Sequence, residues 1–237
     1  MNERNRFSVN NTQVSSVLSG GQRLLQKTLG SNVSLPLTLE DLAEILLEYQ
    51  SLLTQASVKM PKMFNLSTKD GLLVMLCDDG GANLVDQYPT LRSLLSSATN
   101  TINGILDVLR NATSAGVSID PHIKNFVGED GNLFYVDLSP PLIGRYVAAR
   151  LSVASGVDEY QILHDNFLYF EPRYLPYHFA GDLLAIDPAA ESGFPELHSL
   201  LSHEGLIEKV DLETFTNQAK SIRQLENLLL SKRIFMI

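Results

Sequence analysis

Three oxygen-bearing side chains are grouped in the middle of the sequence. Asp120 and Asn125 lie five positions apart in GVSIDPHIKNFV, and Asp137 follows the apolar run LFYV. The turn-forming letters GEDGN separate two short apolar segments, which predicts a β-hairpin with the polar side chains gathered at one end. Carboxylate and amide oxygens are the ligands that hard divalent cations prefer. The grouping therefore predicts a site for such a cation and a phosphate.

Each of these residues also has an ordinary structural interpretation. Asp120 precedes Pro121 and can cap a turn, while Asn125 can fill a loop and Asp137 can end a strand. The joint spacing, with a strand–turn–strand pattern inside it, favours the cation site. His122 lies between the first two residues; it either moves protons, because imidazole titrates near neutral pH, or serves as a structural loop residue.

The composition limits the classes of partner. The chain has 237 residues and 44% hydrophobic content, which is enough for a sizeable core. A net charge of −9 without a Lys/Arg-rich run argues against nucleic acid, since binding to nucleic-acid phosphates needs clustered cations. The single cysteine, Cys77, excludes an internal disulfide, and no zinc-type ligand spacing is present. The sequence begins with polar residues and lacks any apolar stretch of ~18–20 residues, so we expect a cytoplasmic protein without a membrane partner.

The first third of the sequence predicts strands and one long helix. Residues 7–30 contain short apolar runs around Gly20-Gly21, which indicate two strands joined at a glycine turn. Thr38 and Asp41 form a capping pattern before apolar residues at helical spacing, so a helix is expected over about 38–55. The runs KMFNL and LLVMLC around STKDG predict a further hairpin.

The pattern changes in the connector LCDDGGANL. From about Tyr88 to Ala115 apolar residues recur at spacings of three and four, which is typical of helix, and the chain beyond Asp137 is also mainly helical in pattern. A strand-rich part, a glycine-bearing connector and a helical part that contains the polar hairpin therefore follow one another along the chain.

This order resembles the protein-kinase-like fold, and its style is closest to small-molecule kinases of the aminoglycoside phosphotransferase and choline kinase type. The motif match covers about Val58 to Leu138. The resemblance implies an α+β fold of two lobes. Residues 1–77 would form a small strand-rich N-lobe with the long helix, and residues 78–237 would form a larger, mainly helical C-lobe that carries the catalytic hairpin over 116–141.

The resemblance also assigns roles to the three polar residues. In the family an acid of the catalytic loop accepts or orients the proton of the attacking hydroxyl, and an amide five residues later binds Mg²⁺. Asp120 and Asn125 match these two positions. Asp137 matches the acid that follows on the next strand and holds the metal ions at the nucleotide phosphates. ATP and Mg²⁺ are the cofactors that this match implies.

The nucleotide-binding positions are matched more loosely. Lys27 corresponds to the strand lysine that contacts phosphates, and Glu48, or alternatively Glu44, to its helical partner; a surface lysine and solvated acids fit the pattern equally well. The backbone of Cys77 and Asp79 would face adenine, although an ordinary interlobe turn has the same composition.

Two further features come from the same match. Gly20-Gly21 would cover phosphates or would simply form a turn. Asp182 in HFAGDLLAID resembles a buried acid that braces the catalytic loop, or else it is a plain N-cap.

Two departures from the family pattern bear on activity. Ser118 stands where the family usually has a supporting histidine, and Ser139-Pro140-Pro141 replaces a more flexible metal loop. The expected function is ATP- and Mg²⁺-dependent phosphoryl transfer to a hydroxyl of a small molecule, such as an amino sugar or amino alcohol. The alternatives are a catalytically degenerate kinase-like module that binds or scaffolds, and an unrelated α+β protein.

Overall fold

The computed structural model describes residues 6–7, 12–19, 21–29, 34–97, 99–129 and 132–234. These residues form an α+β protein in which strands dominate the first third and helices the remainder. The strands are β1 (Arg6–Phe7), β2 (Thr12–Ser19), β3 (Gln22–Leu29), β4 (Met63–Lys69), β5 (Leu72–Asp78), β6 (Phe126–Glu129) and β7 (Asn132–Tyr135). The first five form one antiparallel sheet in the order β1-β2-β3-β5-β4, and the last two form a separate hairpin.

The strand and helix predictions for the first third agree with the structure. β2 and β3 pair as a hairpin, and Gly21 adopts a φ of +83° in the turn; Gly20 lies outside the described residues. Helix α1 (Leu39–Gln55) is closed by Thr38 and Asp41, whose side chains each accept a hydrogen bond from the backbone N–H of the other. This capping box satisfies N–H groups that the first turn leaves without partners.

Most of the α-helices that follow in the described chain are short. They are α2 (Leu84–Gln87), α3 (Leu91–Ser97), α4 (Thr99–Ala115), α5 (Gly144–Ser152), α6 (Val157–Tyr169), α7 (Leu175–Ile186), α8 (Phe194–His203) and α9 (Leu212–Lys232). The helical segment expected from about Tyr88 begins at Leu91 instead, because Pro89 precedes Thr90 and the Thr90 hydroxyl accepts a hydrogen bond from the Ser93 N–H at 3.1 Å.

The connector between β5 and α2 packs directly on the β6–β7 hairpin. The Gly128 N–H donates to the Ala82 carbonyl at 2.9 Å, and Asn83 forms a β-bridge with Val127. Gly81 has a φ of +105°, and a Cβ there would lie 3.2 Å from the Gly128 Cα. Only glycine combines this backbone conformation with so close an approach. The connector thus fixes the hairpin against the end of the sheet.

The hydrophobic core is continuous from the sheet to the last helix. Leu73 and Met75 of β5 belong to the same buried cluster as Leu46 of α1, Phe126 of the hairpin and Leu229 of α9. Helix α7 lies along α9 in the helical part. Among the helices that the structure describes, none is long and apolar enough to cross a membrane.

Candidate functional site

The loop before β6 and the strand after the hairpin turn bring Asp120, Asn125 and Asp137 to one place. The Asn125 side-chain Nδ2 donates to the Asp120 carbonyl at 3.1 Å, which turns the amide oxygen away from that carbonyl. The Val136 N–H donates to the Asn125 carbonyl at 2.9 Å, so Asn125 lies beside the residue that precedes Asp137. Closure of the hairpin therefore places Asn125 beside Asp120 and next to the segment that leads to Asp137.

Two tyrosines hold the loop that carries Asp120. The Tyr49 hydroxyl of α1 donates to the Ser118 carbonyl at 2.9 Å, and the Asp120 N–H donates to the Tyr135 hydroxyl at 3.0 Å. Both tyrosines are buried. At Ser118, where the resembled family has a supporting histidine, the loop is held through its backbone instead.

Asp137 has an electrostatic environment that opposes its negative charge. Burial and the nearby charge of Asp120 raise the pKa of the Asp137 carboxyl to about 6 from an ordinary 3.8, although Lys27 acts in the opposite direction. The Ser139 N–H donates to Asp137 Oδ1 at 3.2 Å. Two carboxylates that repel each other beside an amide oxygen form a set of hard ligands whose repulsion a divalent cation would relieve.

Lys27 reaches this place from the sheet. Its side chain extends from β3, and its Nζ donates to the Val136 carbonyl, next to Asp137, at 2.5 Å. In the described part of the chain no ion pair joins Lys27 to Glu44 or Glu48. The structure therefore brings Lys27 to the segment that carries Asp137, but among the described contacts it does not bring the expected lysine–glutamate pair together.

The acids of α1 face Arg145 instead. Arg145, in the first turn of α5, has guanidinium nitrogens 3.7 Å from Asp41, 4.0 Å from Glu44 and 3.9 Å from Glu48. These acids share one face of α1 because they lie three or four positions apart. Glu44 and Glu48 therefore have Arg145, at the start of α5, as their ion-pair partner, and not Lys27.

Cys77 and Asp79 lie at the end of β5, where the sheet meets the connector. Cys77 is buried and pairs with Leu25 and Met63 in the sheet; burial raises the pKa of its thiol. Asp79 forms an ion pair with Arg23 Nε at 3.1 Å and accepts the Gly81 N–H at 3.2 Å. Both residues are thus on the same side of the molecule as the Lys27 strand, while their side chains have structural partners.

A second group of charges lies behind Asp120. His122 Nδ1 hydrogen-bonds with Asp120 Oδ1, and His122 Nε2 lies 3.0 Å from Glu226 Oε1 and 3.5 Å from Asp182 Oδ1. Asp182 Oδ2 also accepts the Ile123 N–H at 2.8 Å, so this acid braces the loop. It lies inside α7 rather than at the start of that helix, so the N-cap alternative is wrong. The His122 side chain is 14% exposed and is surrounded by carboxylates.

These contacts change the ionisation of the group. Desolvation alone would lower the pKa of His122, but the charges of Asp120, Asp182 and Glu226 outweigh it and raise that pKa well above its usual value. Burial would likewise raise the pKa of Asp120, yet the charge and hydrogen bond of His122 lower it. The pKa of Glu226 is lowered in the same way against the effect of its burial. These pKa shifts favour a protonated His122 beside ionised Asp120 and Glu226, whereas burial raises the pKa of Asp182.

The same group contains a set of metal-type ligand atoms. Asp120, His122 and His178 each offer one ligand atom, and these atoms lie within 4.8 Å of one another. Two imidazoles and one carboxylate suit a transition metal such as zinc better than Mg²⁺, which prefers oxygen. An imidazole binds a metal only through an unprotonated nitrogen, however, and both ring nitrogens of His122 already face carboxylates. Asn125 and Asp137, the residues expected to hold Mg²⁺, are not part of this set.

A scan of the sequence against protein-family models finds no matching family. A comparison with curated proteins finds no match either.

Sequence reasoning missed three residues that shape the site: Arg145, His178 and Glu226. Two of them carry a recognisable signal. His178 lies four positions before Asp182 on α7 and therefore shares its face. Glu226 falls on the buried stripe of α9 between Ile222 and Leu229, where an acid without a partner would be costly. Arg145 has no comparable signal, because its partners lie on a distant helix.

Proposed function

We propose that this protein is an ATP- and Mg²⁺-dependent phosphotransferase that acts on a hydroxyl group of a small molecule, built on a compact two-lobed kinase-like fold. One observation carries the proposal: Lys27 from the sheet meets the Val136–Asp137 backbone of the hairpin, on which Asn125 and Asp120 also converge. A strand lysine, a loop acid, an amide and a second acid are the parts that phosphoryl transfer requires.

The donor set fits the cation that this function needs. Asn125 Oδ1 and the Asp137 carboxylate would hold Mg²⁺, since both are hard oxygen ligands and Asp137 ionises reluctantly without a counter-charge. When bound, the ion neutralises charge on the phosphate oxygens. Lys27 has three N–H donors and now uses one toward a carbonyl, so its ammonium supplies the remaining positive charge at the phosphates.

In the chemical step, Asp120 interacts with the acceptor hydroxyl. The acceptor oxygen forms a bond to the γ-phosphorus, the bond from that phosphorus to the bridging oxygen breaks, and ADP leaves with the electron pair. The hydroxyl proton passes to Asp120. Because the phosphoryl transition state is loose, the main task of the carboxylate is to orient the hydroxyl, and a strongly basic group is not needed.

The acceptor class follows from charge. Exposed acids are frequent on the helices beyond residue 150, among them Asp158 of α6, Glu196 of α8 and Glu213 of α9. This surface favours a cationic acceptor such as an amino sugar or amino alcohol over an anionic one.

A catalytically degenerate binding module is the second candidate. The observation that favours it is that Arg145, rather than Lys27, faces Glu48, so the pair that orders the lysine in active kinases is absent among the described contacts. Pro140 and Pro141 also restrict the loop after Asp137.

Thermal unfolding with and without nucleotide separates the two candidates from an unrelated fold. At about 100 times its Kd, ATP with Mg²⁺ is expected to add about 2.7 kcal/mol to the free energy of unfolding. Mg²⁺ alone and ATP with EDTA are the controls. ATP consumption with a panel of amino sugars, amino alcohols and polyols then tests turnover: stabilisation with turnover supports the enzyme, stabilisation alone supports the module, and neither contradicts both.

A further inference from the structure

The acid thought to meet the acceptor is connected to the last helix by a chain of side-chain contacts. Asp120 Oδ1 hydrogen-bonds with His122 Nδ1, and His122 Nε2 lies 3.0 Å from Glu226 Oε1 on α9. The three side chains are 12%, 14% and 9% exposed, so water does not readily replace any of these contacts. A helix that contributes nothing directly to the proposed site thereby reaches its central carboxylate.

His122 occupies one particular oxygen of Asp120. Both the ring Nδ1 and the backbone N–H of His122 bond to Oδ1, the latter at 3.1 Å. A carboxylate rotates easily about its last bond unless its oxygens are distinguished by their partners. With two donors on Oδ1, Oδ2 is the oxygen left to face an acceptor hydroxyl.

Glu226 is itself fixed by contacts from two helices. His178 Nε2 of α7 lies 2.8 Å from Glu226 Oε1, and Arg223 Nη1, one turn earlier on α9, lies 3.0 Å from Oε2. The His122 and His178 rings meet edge to face with centroids 5.0 Å apart. Glu226 therefore presents Oε1 to both imidazoles in a defined direction.

We propose that Glu226 is a positioning residue: by holding His122 it fixes Asp120 Oδ1 and so directs Oδ2 toward the acceptor hydroxyl. The role of Glu226 in turnover rests on the proposed phosphotransferase function, while the contact itself does not. Asp182 is the nearest competitor for His122 Nε2, but at 3.5 Å it makes the weaker contact and already accepts the Ile123 N–H.

Replacement of Glu226 tests the role in turnover. The assay measures release of inorganic phosphate from Mg·ATP with water as the acceptor, because this reaction does not require the natural acceptor. Glu226→Ala is expected to lower kcat by about 100-fold, the usual cost of a misplaced catalytic group, and to leave KM for Mg·ATP unchanged. Glu226→Gln keeps one acceptor oxygen for His122 and is expected to restore about tenfold of that loss.

The matched control is Gln224→Ala, which changes an exposed side chain of the same helix and should leave kcat unchanged. A folded Glu226→Ala protein with kcat within about twofold of wild type overturns the proposal. If the alanine variant fails to fold, the glutamine variant decides: a kcat lowered by about tenfold supports positioning, and a wild-type kcat overturns it.

Histidine ring signals in ¹⁵N-labelled protein test the contact independently of any activity. The wild type is expected to show two slowly exchanging ring N–H signals for His122, one of which disappears or moves upfield in Glu226→Gln. Fewer than two such signals in the wild type overturn the proposed contact. A wild type that shows both signals but neither binds nor hydrolyses ATP contradicts the phosphotransferase function, and the contact still stands.

Discussion

The two ends of the candidate site differ in how their charges are satisfied. At the buried end, comprising Asp120, His122, His178, Asp182 and Glu226, each side chain has a close hydrogen-bonding or ion-pair partner, and the contacts His122–Glu226, His178–Glu226 and Asp182–Ile123 join distant parts of the chain. At the sheet-facing end, comprising Lys27, Glu48, Asp137 and Arg145, the partners are a backbone carbonyl and ion pairs close to 4 Å.

This difference indicates which side chains are already held in position before a ligand binds. At the buried end, contacts with His122 lower the pKa values of Asp120 and Glu226 against the effect of burial, while burial raises the pKa of Asp182. The short contacts among these side chains hold their positions in the free protein. At the sheet-facing end, burial and the charge of Asp120 raise the pKa of Asp137 to about 6, and Lys27 offsets them only in part. We therefore expect the buried end to control rate and stability, and the sheet-facing end to control ligand binding.

Asp120→Asn should have the largest effect on turnover. The amide keeps the shape of the side chain but accepts no proton, so ATP turnover is expected to fall by about 1000-fold. Stabilisation by Mg·ATP should persist in thermal unfolding. Asp70→Asn, which alters an exposed acid in the β4–β5 turn, is the control. An Asp120→Asn protein that keeps its activity would contradict the catalytic role proposed for Asp120.

Glu226→Ala should break the buried end as a structure. It leaves His122 and Arg223 without a buried carboxylate, and loss of one member of a buried ion pair costs about 3–5 kcal/mol of unfolding free energy. The pKa of Glu226 is lower in the folded protein than its ordinary 4.5, so its stabilisation is present above about pH 4.5 and is lost on acidification through the folded pKa.

Urea unfolding of wild type and Glu226→Ala at several pH values measures this loss. The gap between the two curves should be widest near neutral pH and should narrow as the pH falls below about 4.5. A gap that is constant with pH would indicate that packing rather than charge is lost.

Asp137→Asn should affect the sheet-facing end through its ligand. It is expected to remove the Mg²⁺-dependent part of the stabilisation by ATP, out of a total of about 2.7 kcal/mol at 100 times the Kd. Thermal unfolding with ATP in the presence of Mg²⁺ or EDTA measures it. The control is Asp70→Asn, which alters an exposed acid in the β4–β5 turn; an unchanged Mg²⁺ effect in Asp137→Asn would place the metal elsewhere.

Arg145→Gln should have the smallest effect on stability. Its guanidinium is 51% exposed and its ion pairs are long, so we expect a change in unfolding free energy below about 1 kcal/mol. Chemical denaturation at low and high salt measures it. A loss above about 2 kcal/mol would show that the sheet-facing end contributes as much to stability as the buried end.

Much of the local structure could be predicted because it depends on neighbours in sequence. The Thr38 cap, the β4–β5 hairpin and the convergence of Asn125 with the strand before Asp137 follow from capping pairs, turn residues and spacing. The later start of α3 depends on Pro89 and Thr90, which end the preceding segment locally although the apolar spacing continues through them. The expected pairing of Lys27 with Glu48 depends on the placement of a helix against a sheet, which spacing does not determine.

The residue types at the site and their order along the chain follow from the sequence: an acid, an amide and a second acid on one hairpin, with a lysine on an earlier strand. Their hydrogen-bonding and ion-pair partners depend on the tertiary structure. His122 meets Glu226, and Glu48 meets Arg145, because packing of α9 and α5 brings together side chains that are far apart in sequence. Salt screens interactions between exposed charges, whereas burial strengthens the interactions between charges that lie close together. The ionisation of the site residues therefore depends on their packed neighbours rather than on the motif.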